Sequence, residues 1–498
     1  MNLQPVGSQW LKENFSLSSH ALTHASYIGP ASSIELTSKG NVEEIYRAQY
    51  QVARDEPLDH LEFSLKYDDF SLDFLKAVFE RIPHADIEAF VNTSPGSKYA
   101  RRIGFLYEFL TKKELRLKRP VAGNYADLLD EEKYVTGAII KNTRWRINNN
   151  LLGTVDFCPI VRKTRELQQL MNEDIAAQIE NLKKDYSQDI FNRAILYLFK
   201  KETRSSYQIE REEPSSDRLE RFIALLEEAG KKTNEEIISK PRLVQLQNAI
   251  VDERYAANDY RHHSIYVGES LPNFDEYFHY IGPPPAMVSS LMDGLNETAV
   301  KSGRAGATIR AAIISFGFVF IHPFEDGNGR IHRFLIHDVL VHDQVVPRGM
   351  IVPVSAHMLN NIADYDRALE KYSKPLMQRI RYNKDKNEEL VITNTDEVEG
   401  YFRYPDLTDQ CIYLIRTILS TIEQDMPGEL LFIHRYDEAK KALQKIVDMP
   451  DRKIDSMLVF LHQNHGTFPK RRREQFQELT DVEIEWMQKT YREVFEID

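Results

Sequence analysis

The feature that most constrains this chain is a long apolar segment that ends abruptly in polar residues. Residues 308–321 read TIRAAIISFGFVFI and are apolar at nearly every position, which predicts a helix buried on all sides. Residues 322–333, HPFEDGNGRIHR, follow at once with histidine, acidic residues, a Gly-Asn-Gly turn and two arginines. A second helix, RIHRFLIHDVLVHD, is predicted after the turn. The sequence therefore predicts a polar loop between two helices.

The composition is that of a folded protein large enough for several domains. The chain has 498 residues, 42% of them hydrophobic, and a formal net charge of −12. This acidic total argues against general binding to nucleic acid or membrane surfaces. Cys158 and Cys411 lie far apart and in no metal-binding spacing, which indicates a reducing compartment. No signal peptide pattern or membrane-length apolar run is present, so we expect a cytoplasmic protein without a membrane partner.

Apolar residues recur mostly at spacings of three and four, which predicts a mainly α-helical protein. Three regions are predicted: a mostly helical N-terminal domain at 1–200, a central domain at 201–375, and a small helical C-terminal domain at 391–498. The charged segment 373–390 is interpreted as a linker. Turn residues in 120–165 indicate short strands or a loop-rich lobe.

The polar loop contains the parts of a phosphate-binding site. Gly327 and Gly329 free the backbone to point several N–H groups at one place, and the following helix N-terminus adds partial positive charge. Arg330 and Arg333 lie three residues apart, on neighbouring positions of one helix face, where each can bind a phosphate. The loop therefore predicts a cradle for a polyphosphate.

Two further loop residues supply chemistry. A carboxylate beside phosphates, here Asp326, is the usual means of holding Mg²⁺. His322, with an ordinary pKa near ~6.5, can take a proton from an attacking hydroxyl. Taken singly, each of these features has an ordinary structural interpretation: a hydrogen-bonding histidine, a simple turn, a solvated arginine pair. Together they predict transfer of a phosphate-linked group.

The stretch HPFEDGNGRIHR resembles the signature of the Fic family, H-P-F-x-[D/E]-G-N-G-R-x-x-R, at all nine specified positions. The resemblance implies a compact helical Fic core with the loop between two central helices. It implies Mg²⁺-dependent transfer of AMP from ATP to a hydroxyl of a target protein, with His322 as the base and Asp326 as the metal ligand. It further implies binding of the ATP phosphates by Gly327, Asn328, Gly329, Arg330 and, for the γ-phosphate, Arg333.

Two other stretches agree with the family pattern. Two aromatic pieces within 262–285, separated by a Gly/Pro/Asn turn region, predict a β-hairpin that resembles the Fic flap. The flap is expected to hold a target segment by strand pairing. Residues 355–372 resemble the helix that closes the nucleotide site, and the resemblance puts Asn361 and Tyr365 beside the adenine. A purely structural role for these two residues is the alternative.

Some Fic enzymes carry an inhibitory helix with the pattern [S/T]-x-x-x-E-[G/N], whose glutamate pairs with the second motif arginine. Residues 206–211, SYQIER, match it through Ser206 and Glu210, which are four apart on one helix face. The match departs at Arg211. The resemblance implies an inhibitory helix near 203–212, in which Glu210 pairs with Arg333 and excludes the γ-phosphate. A solvated charged helix end is the alternative.

Two other stretches compete for the inhibitory role. Residues 395–400, TDEVEG, fit the pattern fully, which makes Glu399 the second candidate. A helix in the right place is not expected there, because a linker precedes this stretch and YFRYPD follows it. The stretch ASSIEL around Glu35 fits the pattern poorly and lies far from the motif.

Other functions stay open at this point. Removal of AMP, or other nucleotidyl or phosphoryl transfer, would use a similar loop, although kinase-type members usually have lysine at the position of Gly329. A regulatory or DNA-binding protein with a relic site is a further alternative, with the basic run 470–473 in a winged-helix-like tail. Nucleic acid is not expected, because no aromatic residues interleave that run. The basic helix face at 97–110 is interpreted as solvated.

The expected partners follow from the resemblance. They are a target protein that carries a Ser, Thr or Tyr hydroxyl, the chain itself as a target, and a second copy as a homodimer. A metal hydrolase is not favoured, because the histidines at 322, 332, 337 and 342 include no helical H-x-x-x-H pair with a third ligand.

Overall fold

The computed structural model describes residues 3–37, 40–270, 276–386 and 389–497. Helices predominate within these residues, and the strands form small sheets. The protein is therefore mainly α-helical, as predicted.

The first part of the chain combines a small sheet with four longer helices. Its elements are β1 (Gln4–Val6), α1 (Ser8–Asn14), β2 (His24–Gly29), β3 (Ser33–Leu36), β4 (Val42–Arg47), α2 (Pro57–Tyr67), α3 (Leu72–Arg81), α4 (His84–Thr93) and α5 (Lys98–Thr111). The strand order is β1-β2-β4-β3, with β2 and β4 parallel and the other neighbours antiparallel. This sheet was not predicted.

A loop-rich segment follows, as the turn residues predicted. It contains β5 (Ala126–Asp127), β6 (Ile140–Asn142) and β7 (Ile147–Asn149), in the order β5-β7-β6. Trp145 joins this segment to α5, because its indole lies against Gly104, where a Cβ would be 2.2 Å from the ring. The indole Nε1–H donates to Glu108 of the same helix.

The next helices lead to the motif. They are α6 (Arg165–Met171), α7 (Ile175–Lys184), α8 (Gln188–Ile209), α9 (Ser216–Glu227) and α10 (Lys240–Ile250). Helices α6 and α7 are separate, because Asp174 caps α7 by accepting from the Ala177 N–H. Ser215 caps α9 in the same way, and Gly230 follows that helix with a φ of +75°.

The central region contains the hairpin strands and the two motif helices. Its elements are β8 (Tyr266–Ser270), β9 (Glu276–Ile281), α11 (Pro285–Lys301), α12 (Ala307–Ile321), α13 (Asn328–His342), α14 (Val354–Asn360) and α15 (Ile362–Met377). Strands β8 and β9 pair antiparallel, as expected, while the turn between them lies outside the described residues. Helix α12 is buried at every residue from Ile309 onward. Residues 322–327 connect α12 to α13.

The rest of the chain is again helical. It contains β10 (Tyr382–Lys384), β11 (Leu390–Ile392), α16 (Thr395–Arg403), α17 (Thr408–Ser420), α18 (Met426–Ile446), α19 (Asp451–Gln463) and α20 (Asp481–Phe495). The segment interpreted as a linker carries the β10–β11 pair. Between 393 and 497 the described residues form no strand, so they contain no wing of the winged-helix type.

The apolar side chains form three main clusters. The largest surrounds α12 and α13 and extends to Leu430, a second fills the region before Ile160, and a third runs from Ala439 to Tyr491. Helix α18 contributes to the first and the third. The predicted domain boundaries stay predictions. Among the described helices, none is long and apolar enough to cross a membrane.

Candidate active site

His322 lies at the point where α12 ends and the polar loop begins. Its backbone is left-handed, with φ 53° and ψ 61°. The ring Nδ1 lies 3.1 Å from the Val319 carbonyl oxygen, and because a carbonyl only accepts, Nδ1 must carry the proton. Nε2 therefore keeps its lone pair. Burial lowers the pKa of His322 to about 4, so the ring is neutral at pH 7 and can accept a proton.

Asn328 fixes the shape of the loop. Its side-chain oxygen accepts from the Phe324 N–H at 3.0 Å, and its side-chain nitrogen donates to the Phe324 carbonyl at 2.8 Å. Gly327 precedes it with a φ of +88°, a conformation that favours glycine. The Asn328 side chain thus makes its hydrogen bonds within the loop. The contribution of Asn328 to phosphate binding stays a prediction.

Arg333 is buried and held by the end of helix α8. Its Nε donates to the Ser206 hydroxyl at 2.9 Å, and one terminal nitrogen donates to the Ser206 carbonyl at 2.7 Å. The same terminal nitrogen lies 2.8 Å from a carboxylate oxygen of Glu210. Burial favours the neutral form of Glu210, yet its attraction and hydrogen bond to Arg333 outweigh this and lower the pKa. Glu210 is therefore ionised in an ion pair with Arg333.

The Glu210 carboxylate also touches the first turn of α13. A Cβ placed on Gly329 would lie 2.1 Å from a Glu210 oxygen, so a larger residue at this position would displace the carboxylate. A negative charge is favoured at a helix N-terminus, where backbone N–H groups point outward. The carboxylate thus occupies the place that the sequence assigns to an anion.

The end of α8 explains why the inhibitory pattern calls for glycine or asparagine after glutamate. The Glu212 N–H donates to the Tyr207 carbonyl and the Arg211 N–H to the Gln208 carbonyl. These two bonds form a Schellman motif, which needs a left-handed residue after the helix cap. Arg211 is that residue, with a φ of +58°. Arg211 is the one departure from the pattern. It lies at a position where the left-handed backbone itself favours glycine or asparagine.

Arg330 is held by a second carboxylate of the same segment. One terminal nitrogen of Arg330 lies 3.0 Å from Glu212, and the other donates to Asp326. Its guanidinium lies over the Tyr207 ring, 5.1 Å from the centroid. Sequence reasoning missed Glu212. The available signal was its position two residues after Glu210, on the same turn.

Arg261 is a second residue that sequence reasoning missed. Its Nε donates to the His322 carbonyl at 2.7 Å, and another nitrogen donates to the Pro283 carbonyl at 2.8 Å and the Ile321 carbonyl at 3.3 Å. The third donates to the His263 carbonyl, and the backbone N–H to the Pro323 carbonyl. Burial lowers the pKa of Arg261 to about 10, so it is charged at pH 7. Its sequence context, NDYRHHS, carries no motif of its own.

An open cavity of about 620 Å³ lies against the motif loop. Its walls include His322, Asp326, Arg330, Tyr365 and Val267 of β8. Burial raises the pKa of Tyr365 to about 12, so its hydroxyl keeps its proton. The cavity joins the motif loop to the flap and to α15.

Asn361 does not line this cavity. It is exposed between α14 and α15, and its side-chain nitrogen donates to the His357 carbonyl at 3.0 Å. The structure therefore brings only Tyr365 of the two predicted adenine neighbours to the cavity. The adenine contact of each residue stays a prediction.

Asp326 is the candidate metal ligand. Its carboxylate accepts from Arg330 and, at 2.6 Å, from the Gly327 N–H. No group of three or more His, Cys, Asp or Glu side chains in the described part of the chain could hold a metal by itself. Mg²⁺ typically takes one or two carboxylates together with substrate phosphates and water. A single carboxylate beside a phosphate cradle fits that mode of binding.

The competing candidates for the inhibitory glutamate lie elsewhere. Glu399 belongs to α16, a helix that does not bring it to Arg333, as expected. It pairs with Arg403 at 2.7 Å and with Lys76 at 3.6 Å. Glu35 lies in the exposed strand β3. Of the three candidates, Glu210 alone is brought to Arg333.

The central helices thus flank a glycine-rich loop with a neutral histidine and two buried arginines, which is the arrangement that the sequence predicted for a phosphate site. Residues 237–340 match the model of the Fic/DOC family. The central region therefore contains a domain of the Fic/DOC type.

The similar proteins cover only part of the chain. It is 29% identical to the protein adenylyltransferase fic-1 of Caenorhabditis briggsae over 125 residues, which are 23% of each chain. The fic-1 adenylyltransferase of Caenorhabditis elegans gives the same figures. The match thus spans about a quarter of these curated relatives.

Two solved structures are also similar. One is a Fic family protein from Desulfovibrio desulfuricans, 14% identical, with a TM-score of 0.36, over 66% of this chain and 87% of that one. The other is a Fic domain containing signaling protein from Bacteroides thetaiotaomicron, 17% identical, with a TM-score of 0.31, over 53% and 97%.

Proposed function

We propose that this chain transfers AMP from ATP, with Mg²⁺, to a Ser, Thr or Tyr hydroxyl of a target protein. The observation that carries the proposal is His322: a neutral ring with a free Nε2, on the wall of a cavity that also holds Asp326 and Arg330. The name of the fic-1 relatives, protein adenylyltransferase, supports the same chemistry. A cytoplasmic location is proposed with it.

In the proposed reaction, Nε2 of His322 takes the proton of the target hydroxyl. The hydroxyl oxygen attacks the α-phosphorus, and the bond from that phosphorus to the bridging oxygen breaks. AMP becomes a phosphodiester on the target, and pyrophosphate leaves with the electron pair. Arg330 and the N–H groups at the start of α13 would offset the negative charge of the phosphates. Mg²⁺ held by Asp326 would supply further neutralisation.

The flap would hold the target. Strand β8 lies on the wall of the cavity, and Tyr266 and Val267 are about half exposed. Because β8 pairs only with β9 among the described strands, its other edge offers backbone groups to an extended segment. A target segment added there would lie beside His322.

The proposed enzyme is self-inhibited. Glu210 occupies Arg333, the arginine proposed to bind the γ-phosphate, and lies on the N-terminal turn of α13. ATP would then bind in a displaced position, with its α-phosphorus misplaced for in-line attack. Errors in placement of about 1 Å can cost about 100-fold in rate.

The test is incubation of the purified chain with Mg²⁺ and α-labelled ATP, alone and with a cell lysate. We expect weak labelling by the wild type, strong labelling by Glu210→Gly, and none by Glu210→Gly with His322→Ala. Glu399→Gly is the matched control and should stay as weak as the wild type, because Glu399 does not contact Arg333.

The outcomes separate the alternatives. Absence of label from every variant would contradict AMP transfer controlled by Glu210. Label from γ-labelled ATP instead would identify phosphoryl transfer, and loss of AMP from a pre-modified target would identify the reverse activity. Salt-dependent retention on DNA without nucleotide chemistry would favour a regulatory protein with a relic site.

A further inference from the structure

The buried guanidinium of Arg261 has an unusual set of partners. Its side chain is about 4% exposed, and its nitrogens donate to four main-chain carbonyls, those of His263, Pro283, Ile321 and His322. No ion pair to a carboxylate is formed by Arg261 within the described part of the chain. A buried charge costs several kcal/mol unless it is compensated, so its retention here calls for a reason beyond packing.

The four carbonyls belong to the parts that must meet in the reaction. His263 precedes strand β8 and Pro283 follows strand β9, so two of them lie at the two ends of the flap. Ile321 and His322 end helix α12 and begin the motif loop. One planar side chain therefore joins the flap to the backbone of the proposed base.

The backbone of His322 needs such support. A residue with a side chain loses about 1–2 kcal/mol in the left-handed region, and such conformations persist only where the surroundings hold them. The Arg261 contacts to the carbonyls of Ile321 and His322 fix the peptide groups on both sides of the His322 Cα. The backbone N–H of Arg261 adds a bond to the Pro323 carbonyl at 2.8 Å.

We infer that Arg261 is the positioning residue of this site: it holds His322 and both ends of the flap in one fixed arrangement, so that a hydroxyl presented by the flap lies at Nε2 of the base. The inference rests on the proposed function. Arg261 contacts neither the cavity nor the phosphate-binding arginines, so it acts through His322 and the flap.

The experiment uses the full chain in the Glu210→Gly background. Arg261→Lys keeps the positive charge but cannot span four carbonyls, and Arg261→Gln removes the charge as well. Arg310→Lys is the matched control: Arg310 is equally buried, lies at the opposite end of α12, and also donates to a main-chain carbonyl, that of Ala299. The readouts are kcat and KM for ATP, thermal unfolding, and amide hydrogen exchange.

We expect Arg261→Lys to lower kcat by about 10- to 100-fold while KM for ATP changes little. Amide exchange should become faster in residues 318–324 and 276–284 together. Arg310→Lys should lower thermal stability by a similar amount and leave kcat and these two segments unchanged. This pattern distinguishes positioning from a general loss of stability.

Two results would overturn the inference: full kcat in a folded Arg261→Lys protein, or an equal loss of kcat in Arg310→Lys. If Arg261→Gln fails to fold, the lysine variant still decides. If no variant of the Glu210→Gly background transfers AMP, the proposed function fails instead. In that case amide hydrogen exchange alone tests the positioning role of Arg261. Unchanged exchange in residues 318–324 of Arg261→Lys would reject that role.

Discussion

At the scale of single residues, two residues near the site have left-handed backbone conformations. His322 has a φ of +53° and Arg211 a φ of +58°. Neither is glycine, so each conformation costs free energy that surrounding contacts must offset. For His322 the contacts are the Arg261 hydrogen bonds to the carbonyls of Ile321 and His322. For Arg211 they are the two backbone bonds that end helix α8.

Replacing Arg211 tests the free-energy cost of the left-handed conformation at the end of α8. We expect Arg211→Gly to be more stable than Arg211→Ala by about 1 kcal/mol, because glycine adopts the left-handed conformation without a Cβ clash. Denaturant unfolding of both variants measures this difference. Equal stability would show that residue 211 leaves the left-handed conformation in solution.

The pH dependence tests the state of His322. Burial lowers its pKa from 6.5 to about 4, so in Glu210→Gly we expect kcat/KM to be flat from pH 8 to 5 and to fall only near pH 4. The pH dependence of kcat/KM reports the pKa of the catalytic group in the free enzyme. Removal of Glu210 cannot move the midpoint upward, because its charge raises the pKa of His322. A midpoint near pH 6.5 would contradict the buried, neutral ring.

The same shift affects stability. Between pH 6.5 and about 4 the unfolded histidine binds its proton while the folded one does not. The unfolded chain then holds more protons, so stability falls as the pH is lowered through this window. His332, fully buried and with a pKa lowered to about 3, acts in the same direction.

At the scale of elements, helix α8 and the turn after it supply most of the contacts to the two motif arginines. Glu202 of α8 is buried and accepts from His337 of α13 and from the backbone N–H of Ser355 in α14. Near the end of the same helix Ser206 and Glu210 contact Arg333, and Glu212 contacts Arg330. Both arginines of the motif are therefore paired with carboxylates from one short segment.

We expect Glu212 to weaken ATP binding as well, but by less than Glu210 does. In the Glu210→Gly background, Glu212→Gln is expected to tighten ATP binding by about two- to five-fold, since a partly exposed ion pair is worth about 1 kcal/mol or less. ATP titration measures this. Glu213→Gln removes the same charge from the adjacent exposed position and should have no such effect. Equal affinities for the two variants would assign Glu212 a structural role alone.

Some elements were read correctly from the sequence and others were not. Helix α12 was predicted because its apolar residues are contiguous. Strands β2 and β4 were missed, because HASYIG and VEEIYR do not alternate apolar with polar residues throughout, and their parallel pairing depends on tertiary contacts. The basic face of α5 was taken as solvated, yet Arg101 and Arg102 are buried and donate to main-chain carbonyls.

At the scale of the whole molecule, the C-terminal helices have a core of their own. Their cluster runs from Ala439 to Tyr491 and is separate from the one around the motif. Helix α18 links the two, and near its start Glu429 pairs with Lys201 of α8. The basic run 470–473 lies in this unit, where Arg473 pairs with Asp481 and donates to main-chain carbonyls.

Separate cores predict separate unfolding. We expect Leu458→Ala to destabilise the C-terminal unit by about 2–5 kcal/mol, while label transfer by Glu210→Gly is unchanged. Leu335→Ala, equally buried in α13, should lower the transition of the motif core instead. Scanning calorimetry resolves the two transitions. A single transition that both variants lower equally would show that the clusters unfold together.

The chemistry predicted for the loop follows from a local stretch of the sequence. Residues 322–333 are contiguous, so the histidine, the turn and both arginines are brought together by local geometry. Helix α12 and the start of α13 follow equally from local patterns. The prediction of a phosphate-binding loop of the Fic type needed nothing more distant along the chain.

The residues that contact the loop from elsewhere in the chain could be identified only from the tertiary fold. The stretch around Glu399 fits the inhibitory pattern fully and the stretch around Glu210 departs from it at Arg211. Only the packing of α8 against α13 brings Glu210, 123 positions away, to Arg333. Arg261 lies 61 residues before His322 and carries no motif. Such contacts depend on how buried surfaces fit together across the fold, and a local sequence pattern contains no information about that fit.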